Sequence, residues 1–370
     1  MALFLAAVVS MAGCAPKVVD TNYSLRYPPY PVEPRIAYLR SYYGAGDELY
    51  LGFIEKLLGS SQDDLMGKPF MPVFVQDTLY VTLYNNKAIF VIDTVKNKYN
   101  IIKNFGDISF LSVGGLAVSS AGDIYLCDFG ANYIYVADRA FKFKKGIGAD
   151  QKLIKPYGIA LDEQRNRMYV IDSGSKSLKA LTLAGEFLFE FGNKPGAKAE
   201  GAKDEEVPYG YYGIAVDKRN GRIVASDTEN FKIRVFDEQG RLINAFGEAS
   251  DTAMGFGRLA GVAVNREGHI YASDLFFHHI SMFNDEGKSL MQFGGPGLGP
   301  GRFQNPLGIS FDESDRLFVA DSMNGRVQVF QYLSDPWKRD HPEAYAKYKE
   351  EPPAKQEAVK QKNKTVREKH

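Results

Sequence analysis

Residues 301–330 read GRFQNPLGISFDESDRLFVADSMNGRVQVF, and most of the remaining chain is a worn copy of this unit. It holds three short strand patterns. Residues 307–311 alternate large and small side chains after Pro306, 317–320 form an apolar run ending at Asp321, and 327–330 form another after the turn-prone Asp321-Ser-Met-Asn-Gly325. Strands this short need neighbours. Toward the N-terminus the unit recurs as GVAVN, HIYASD and HISMF within 261–283, as GIAVD, RIVASD and KIRVF within 213–236, as GIALD, RMYVID and SLKAL within 158–181, and as GLAVS, DIYLCD and YIYVA within 115–137. A weaker first copy runs from about Met71 through LYVTL (79–83) to AIFVID (88–93).

The glycines that open successive first strands, from Gly115 to Gly308, are 43, 55, 48 and 47 residues apart. Such a period, with several strands per unit and no helical stretch inside it, specifies a β-propeller. Blades stack face to face, so both faces of each sheet are buried; this explains unbroken apolar runs such as LFVA and IYLC where a one-sided sheet would alternate. A fourth strand ending in Phe-Gly is expected at Phe105-Gly106, Phe191-Gly192, Phe246-Gly247 and Phe293-Gly294.

The run from Phe293 to Ile309 followed by RLFVADSMNGRVQVF resembles the NHL repeat, which implies an all-β, six-bladed propeller over residues 35–333. Met71 stands where the other copies have the marker glycine, and Leu83 replaces the aspartate found at Asp128, Asp172, Asp227, Asp274 and Asp321. The last unit lacks a fourth strand, whereas residues 35–43, ending in Tyr43-Gly44, have no first three. The N-terminal segment is therefore expected to supply the outer strand of blade six and close the ring.

Residues 1–13 are small and apolar and too short to span a bilayer. Met11-Ala-Gly-Cys14 resembles the bacterial lipobox; the resemblance implies a signal peptide over 1–13, lipid on Cys14, and, with Ala15 following, an outer-membrane address in the cell envelope. Residues 14–34 carry five prolines and read as an extended tether. Residues 47–67 read as an insertion containing a short amphipathic helix, 193–206 as a solvated loop, and 334–370 as a charged, flexible tail, disordered or partly helical. Cys127 falls on a strand position held elsewhere by Ala or Ile and reads as a small buried hydrophobe.

Formal net charge is zero, which removes the electrostatic case for nucleic acid. Tyr and Phe are abundant, and on the face where second-to-third-strand loops and inter-blade loops emerge the sequence places Tyr84, Phe129, Tyr157, Tyr211, Tyr212, Phe276, Phe277 and His278. This face is expected to dock a protein or other ligand in the envelope, centred on Phe276, Phe277 and His278 with Tyr211 nearby. The opposite loops are charged hairpins. No catalytic residue, metal ligand set or cofactor motif emerges: the first strands hold no histidine, and the repeated aspartates precede turns, where they cap backbone N–H groups. The alternative is a metal-dependent hydrolase or lyase with a central-channel site, as in six-bladed relatives. Replacing Cys14 by Ser is expected to shift the protein from the membrane to the soluble fraction on cell fractionation; unchanged membrane association would overturn the lipid anchor.

Overall fold

The computed structural model of the chain describes residues 25–29, 31–43, 66–192, 210–252 and 255–349. Five blades are built in sequence order, each an antiparallel meander. The inner strands are Pro69–Val75, Val113–Val118, Pro156–Asp162, Tyr211–Asp217 and Leu259–Val264, and the outer strands are Lys98–Ile102, Phe143–Ile147, Phe187–Phe191, Leu242–Phe246 and Ser289–Gly294. The sixth blade is shared between the ends of the chain. Pro306–Phe311, Arg316–Asp321 and Arg326–Tyr332 are joined by Ile36–Tyr42, which pairs Ile36 with Tyr332 and Tyr42 with Val327. The chain is thus a six-bladed β-propeller closed by an N-terminal outer strand.

Six apolar clusters, each straddling two adjacent blades, make up the core of the ring. Tyr169, Ile171 and Phe191 of blade three meet Tyr211, Ile214 and Phe236 of blade four, and equivalent groups fill every other joint. The closing strand feeds two of them: Ile36 and Tyr38 pack with blade five residues, and Tyr42 packs with Met66, Leu79 and Leu83 of blade one. Leu83, the apolar stand-in for the repeated aspartate, is fully buried there. Cys127 is likewise buried, and burial pushes its thiol far up from the usual range.

The marker glycines answer to the axis. A Cβ on Gly308 would lie 2.4 Å from the Phe70 carbonyl oxygen, and one on Gly261 would lie 2.6 Å from that of Leu307, so only hydrogen fits where neighbouring inner strands converge. The repeated aspartates answer to the blade joints. Asp128 accepts N–H bonds from Leu111 and Ser112 at 2.7 and 2.9 Å, Asp172 from Ile154 and Lys155 at 3.0 and 2.7 Å, Asp274 from Gly257 and Arg258 at 2.8 and 3.2 Å, and Asp321 from Gln304 at 2.7 Å. Each carboxylate ties the chain arriving from the preceding blade to the end of its own second strand. In blades three, four and six the third strand adds a donor: Lys179, Arg234 and Arg326 reach Asp172, Asp227 and Asp321 at 2.5, 2.8 and 2.7 Å.

Two expectations need correction, and the tail resolves to one of its two readings. Phe105 does not end the first outer strand; it sits in a two-stranded hairpin, Asn104–Phe105 with Ile108–Ser109, because Gly106 turns there in the left-handed region. Within the expected tether, Arg26–Tyr27 pairs with the closing strand as a fifth strand, and Tyr27 donates its hydroxyl to the Gly301 carbonyl at 2.9 Å. The tail is partly helical, with helices at Asp335–Asp340 and Pro342–Lys349: Ser334 caps the first by accepting the Trp337 N–H, and Tyr345 of the second packs on Ala37 and Leu333. Residues 44–65, which hold most of the expected insertion, and 193–209 lie outside the described residues.

Removing residues 35–43 strips side chains from two joints at once and is expected to lower the unfolding free energy by more than about 4 kcal/mol, given 1.5–3 kcal/mol per large buried side chain; a denaturant midpoint equal to the parent's would show that the ring closes otherwise. Burial alone would raise the Asp172 carboxyl, but the bonds from Lys179, Lys155 and Ile154 outweigh it and hold it below the usual carboxylate range. Since the folded group titrates lower than the unfolded one, this tie stabilises above the unfolded value and is lost as pH falls through the folded value. Asp172→Asn is therefore expected to be less stable than the parent at pH 7 and to lose less stability between about pH 4 and pH 2, measured by urea melts. Parallel pH profiles would sink that assignment.

Candidate binding face

The buried aspartates bring each second-to-third-strand loop beside the chain entering the inner strand, so both sets of loops open on one face. Directly before the marker position, the six inner strands place Phe70, Gly114, Tyr157, Tyr212, Ala260 and Leu307 around the axis. Phe70 lies 5.5 Å from Tyr157 and 5.9 Å from Tyr212 between ring centroids, and Tyr157 meets Tyr212 edge-on at 5.4 Å. The loop residues Tyr84 and Phe129 stack at 6.0 Å and join the group through Phe70 (6.3 Å) and Tyr157 (5.6 Å). A Cβ on Gly114 would lie 2.5 Å from the Tyr157 carbonyl oxygen, so only hydrogen fits there. The product is an aromatic crescent over blades one to four, its rings in the offset and tilted contacts that such pairs prefer.

Beneath the crescent the axis is almost closed. A cavity of about 30 Å³, lined by Met71, Gly115, Gly158, Gly213, Gly261 and Gly308 with the apolar side chains that follow them, has room for only one or two waters. No carboxylate, imidazole or thiol lines it. Among the described residues no group of His, Cys, Asp and Glu has the arrangement of a metal site. The Tyr157 and Tyr212 hydroxyls share a hydrogen bond; burial pushes both up, while Arg258 nearby opposes the rise at Tyr212.

The two faces differ in what they expose. Tyr84, Leu111, Tyr133, Ile154, Phe276, Leu298 and Met323 all project at the crescent face, with Phe276 65% and Leu298 72% accessible. On the opposite loops, Val32 and Val95 are the large apolar side chains so exposed among the described residues. There the charges pair off: Arg165 with Asp162 and Glu238, Arg219 with Asp217, Arg241 with Asp237, and Arg316 with Asp312.

Of the eight aromatic-face candidates, the structure brings Tyr84, Phe129, Tyr157 and Tyr212 together. Phe276 and Phe277 form a separate pair, centroids 5.1 Å apart, and Phe277 is half-buried against the His279 ring at 5.9 Å. One candidate, Tyr211, is corrected, and another, the half-buried His278, is engaged within the fold. Tyr211 is buried between blades three and four and donates its hydroxyl to the Gly192 carbonyl at 3.0 Å, because alternation along its strand turns it to the joint while Tyr212 faces the axis. His278 accepts the Asn305 N–H at Nδ1 (3.1 Å), and its carbonyl accepts the Gly295 N–H (2.8 Å), so its polar groups hold the loop between blades five and six. Phe70 belongs to the crescent but was missed from sequence; its offset from Met71, equal to that of Tyr157 and Tyr212 from their glycines, is the signal. Cys14 lies outside the described residues.

The NHL repeat model matches residues 303–330, which form most of blade six. The chain is a six-bladed propeller that carries an NHL repeat. No curated protein matches it. Among solved structures it is similar to a protein of unknown function from Bacteroides thetaiotaomicron (TM-score 0.58, 15% identity, covering 72% of this chain and 69% of that one). An auxiliary nutrient binding protein from the same organism gives TM-score 0.56 at 14% identity, over 72% and 70% of the two chains. Virginiamycin B lyase from Staphylococcus aureus gives 0.51 at 14% identity, over 72% and 95%. At these identities the likeness is one of fold.

Proposed function

We propose that this propeller is a binding protein of the bacterial cell envelope, lipid-anchored through Cys14 and addressed to the outer membrane, that docks a partner protein on its crescent face without doing chemistry on it. The observation that carries the reading is the concentration of exposed large apolar side chains around an aromatic mouth, seven at that face against Val32 and Val95 on the other, which is rich in ion pairs. The lyase or hydrolase reading is the weaker one, because the axial cavity of about 30 Å³ is lined by no carboxylate, imidazole or thiol and has room for only one or two waters. The nutrient binding protein of the same fold is in keeping with binding as a task for such a ring.

Exposed anchors test this directly, since they can be cut without opening a joint. Tyr84→Ala combined with Phe276→Ala is expected to reduce capture of the native partner from detergent-solubilised envelopes at least tenfold, at about 2 kcal/mol or more for a buried aromatic anchor. The melting temperature should stay within about 2 °C of the parent, as for surface changes in general. Val95→Ala on the other face is the control. Equal capture by the double variant and the parent would remove the crescent face from the function.

A further inference from the structure

The rim of the axial mouth carries a second pattern. Three residues before each marker position, immediately ahead of the inner strand, stand Lys68, Ser112, Lys155, Gly210, Arg258 and Asn305 in blades one to six. Cations thus occupy alternate blades, one, three and five, with neutral residues between them. All three side chains are exposed. None forms an ion pair or a side-chain hydrogen bond among the described residues, whereas Arg165, Arg219, Arg241 and Arg316 of the opposite face each hold a carboxylate. The described exposed acids of the crescent face, such as Asp107, Asp150 and Glu229, lie on the inter-blade excursions or strand-connecting loops and never at the rim position.

The rim backbone is fixed: the Lys155 and Arg258 N–H groups are held by the buried carboxylates of Asp172 and Asp274. Arg258 lies close enough to Tyr212 for its charge to act on the phenol. Resting on the docking reading, we infer that the crescent face takes an acidic segment of a partner protein, which sets an aromatic or aliphatic side chain on the rings while its carboxylates meet Lys68, Lys155 and Arg258. A protein segment fits better than a small anion because the floor is too shallow to enclose one, and because Ile154, Phe276 and Met323 extend the apolar footprint across several blades. Cations that hold no carboxylate among the described residues, set around a desolvating apolar floor, select a partner by complementary charge and speed its arrival.

The test titrates the full-length protein with a labelled random Glu–Tyr copolymer, with poly-Glu, poly-Lys and inorganic polyphosphate, and with phosphatidylglycerol vesicles. The Glu–Tyr copolymer is expected to bind tightest and to weaken severalfold between about 50 and about 300 mM salt. Combining Lys68→Glu, Lys155→Glu and Arg258→Glu should cost about tenfold or more, with an unchanged melting temperature; the matching Gln variants, which remove charge without adding acid, should lose less. Copolymer binding that ignores these changes, or polyphosphate or vesicles binding as tightly, would overturn the acidic-protein assignment. If the charge variants still capture the native partner while Tyr84→Ala with Phe276→Ala does not, the docking reading stands and only the acidic class falls; if neither set of changes affects capture, both fall.

Discussion

A carboxylate at the end of the second strand holds each of five blades to the one before it. Asp128, Asp172, Asp227, Asp274 and Asp321 are buried to within 1% of complete exclusion, yet every one is surrounded by N–H donors, so their charges cost little to bury. Because the donors lie on the chain segment arriving from the previous blade, the tie fixes where the inner strand starts. The rim and the crescent inherit their positions from it. Blade one does without: Leu83 and Met66 fill the place with apolar contact, and that joint is instead secured by the closing strand.

The ring is close to six-fold in its backbone and far from six-fold in its side chains. Only Phe70, Tyr157 and Tyr212 put rings beside the axis, while Gly114, Ala260 and Leu307 leave the positions between and beyond them smaller. The cations at the rim follow a different order, one blade in two. A partner meeting this face therefore encounters a surface with a definite orientation, where the repeat alone would give six equivalent ones. Apolar contact supplies area and the rim supplies register.

The repeat made the fold readable because each structural demand recurs at a fixed offset: glycine where strands converge, aspartate where a loop must be tied, apolar runs where both faces are buried. Closure by residues 35–43 was readable for the same reason, as a missing strand at one end and a surplus one at the other. The site was read less well. Tyr211 and Tyr212 are neighbours in sequence, and only the strand's phase, set by the irregular pairing between Tyr211 and Ile214, decides which one faces the axis. His278 looked like an exposed contact until its ring nitrogen was found engaged by the Asn305 N–H, a link between adjacent blades that no local pattern encodes. The composition of the tail left disorder and partial helix both open, because what seats its helices is distant in sequence: Tyr345 rests on Ala37 and Leu333, with its hydroxyl on Glu33 at 2.7 Å.

The shared sixth blade has a mechanical meaning. Its two contributing segments, Ile36–Tyr42 and Arg326–Tyr332, come from opposite ends of the chain and meet along one antiparallel seam. Tension between the N-terminal side and anything gripping the ring would pass first across this seam, before loading any blade formed from contiguous sequence. Parting it would strip the outer strand from blade six and uncover the side chains that Ile36, Tyr38 and Tyr42 cover at the joints with blades five and one. The tail helices, clasping Glu33 and Ala37 at the foot of the seam through Lys338 and Tyr345, sit where peeling would begin and act as a latch on the fastener.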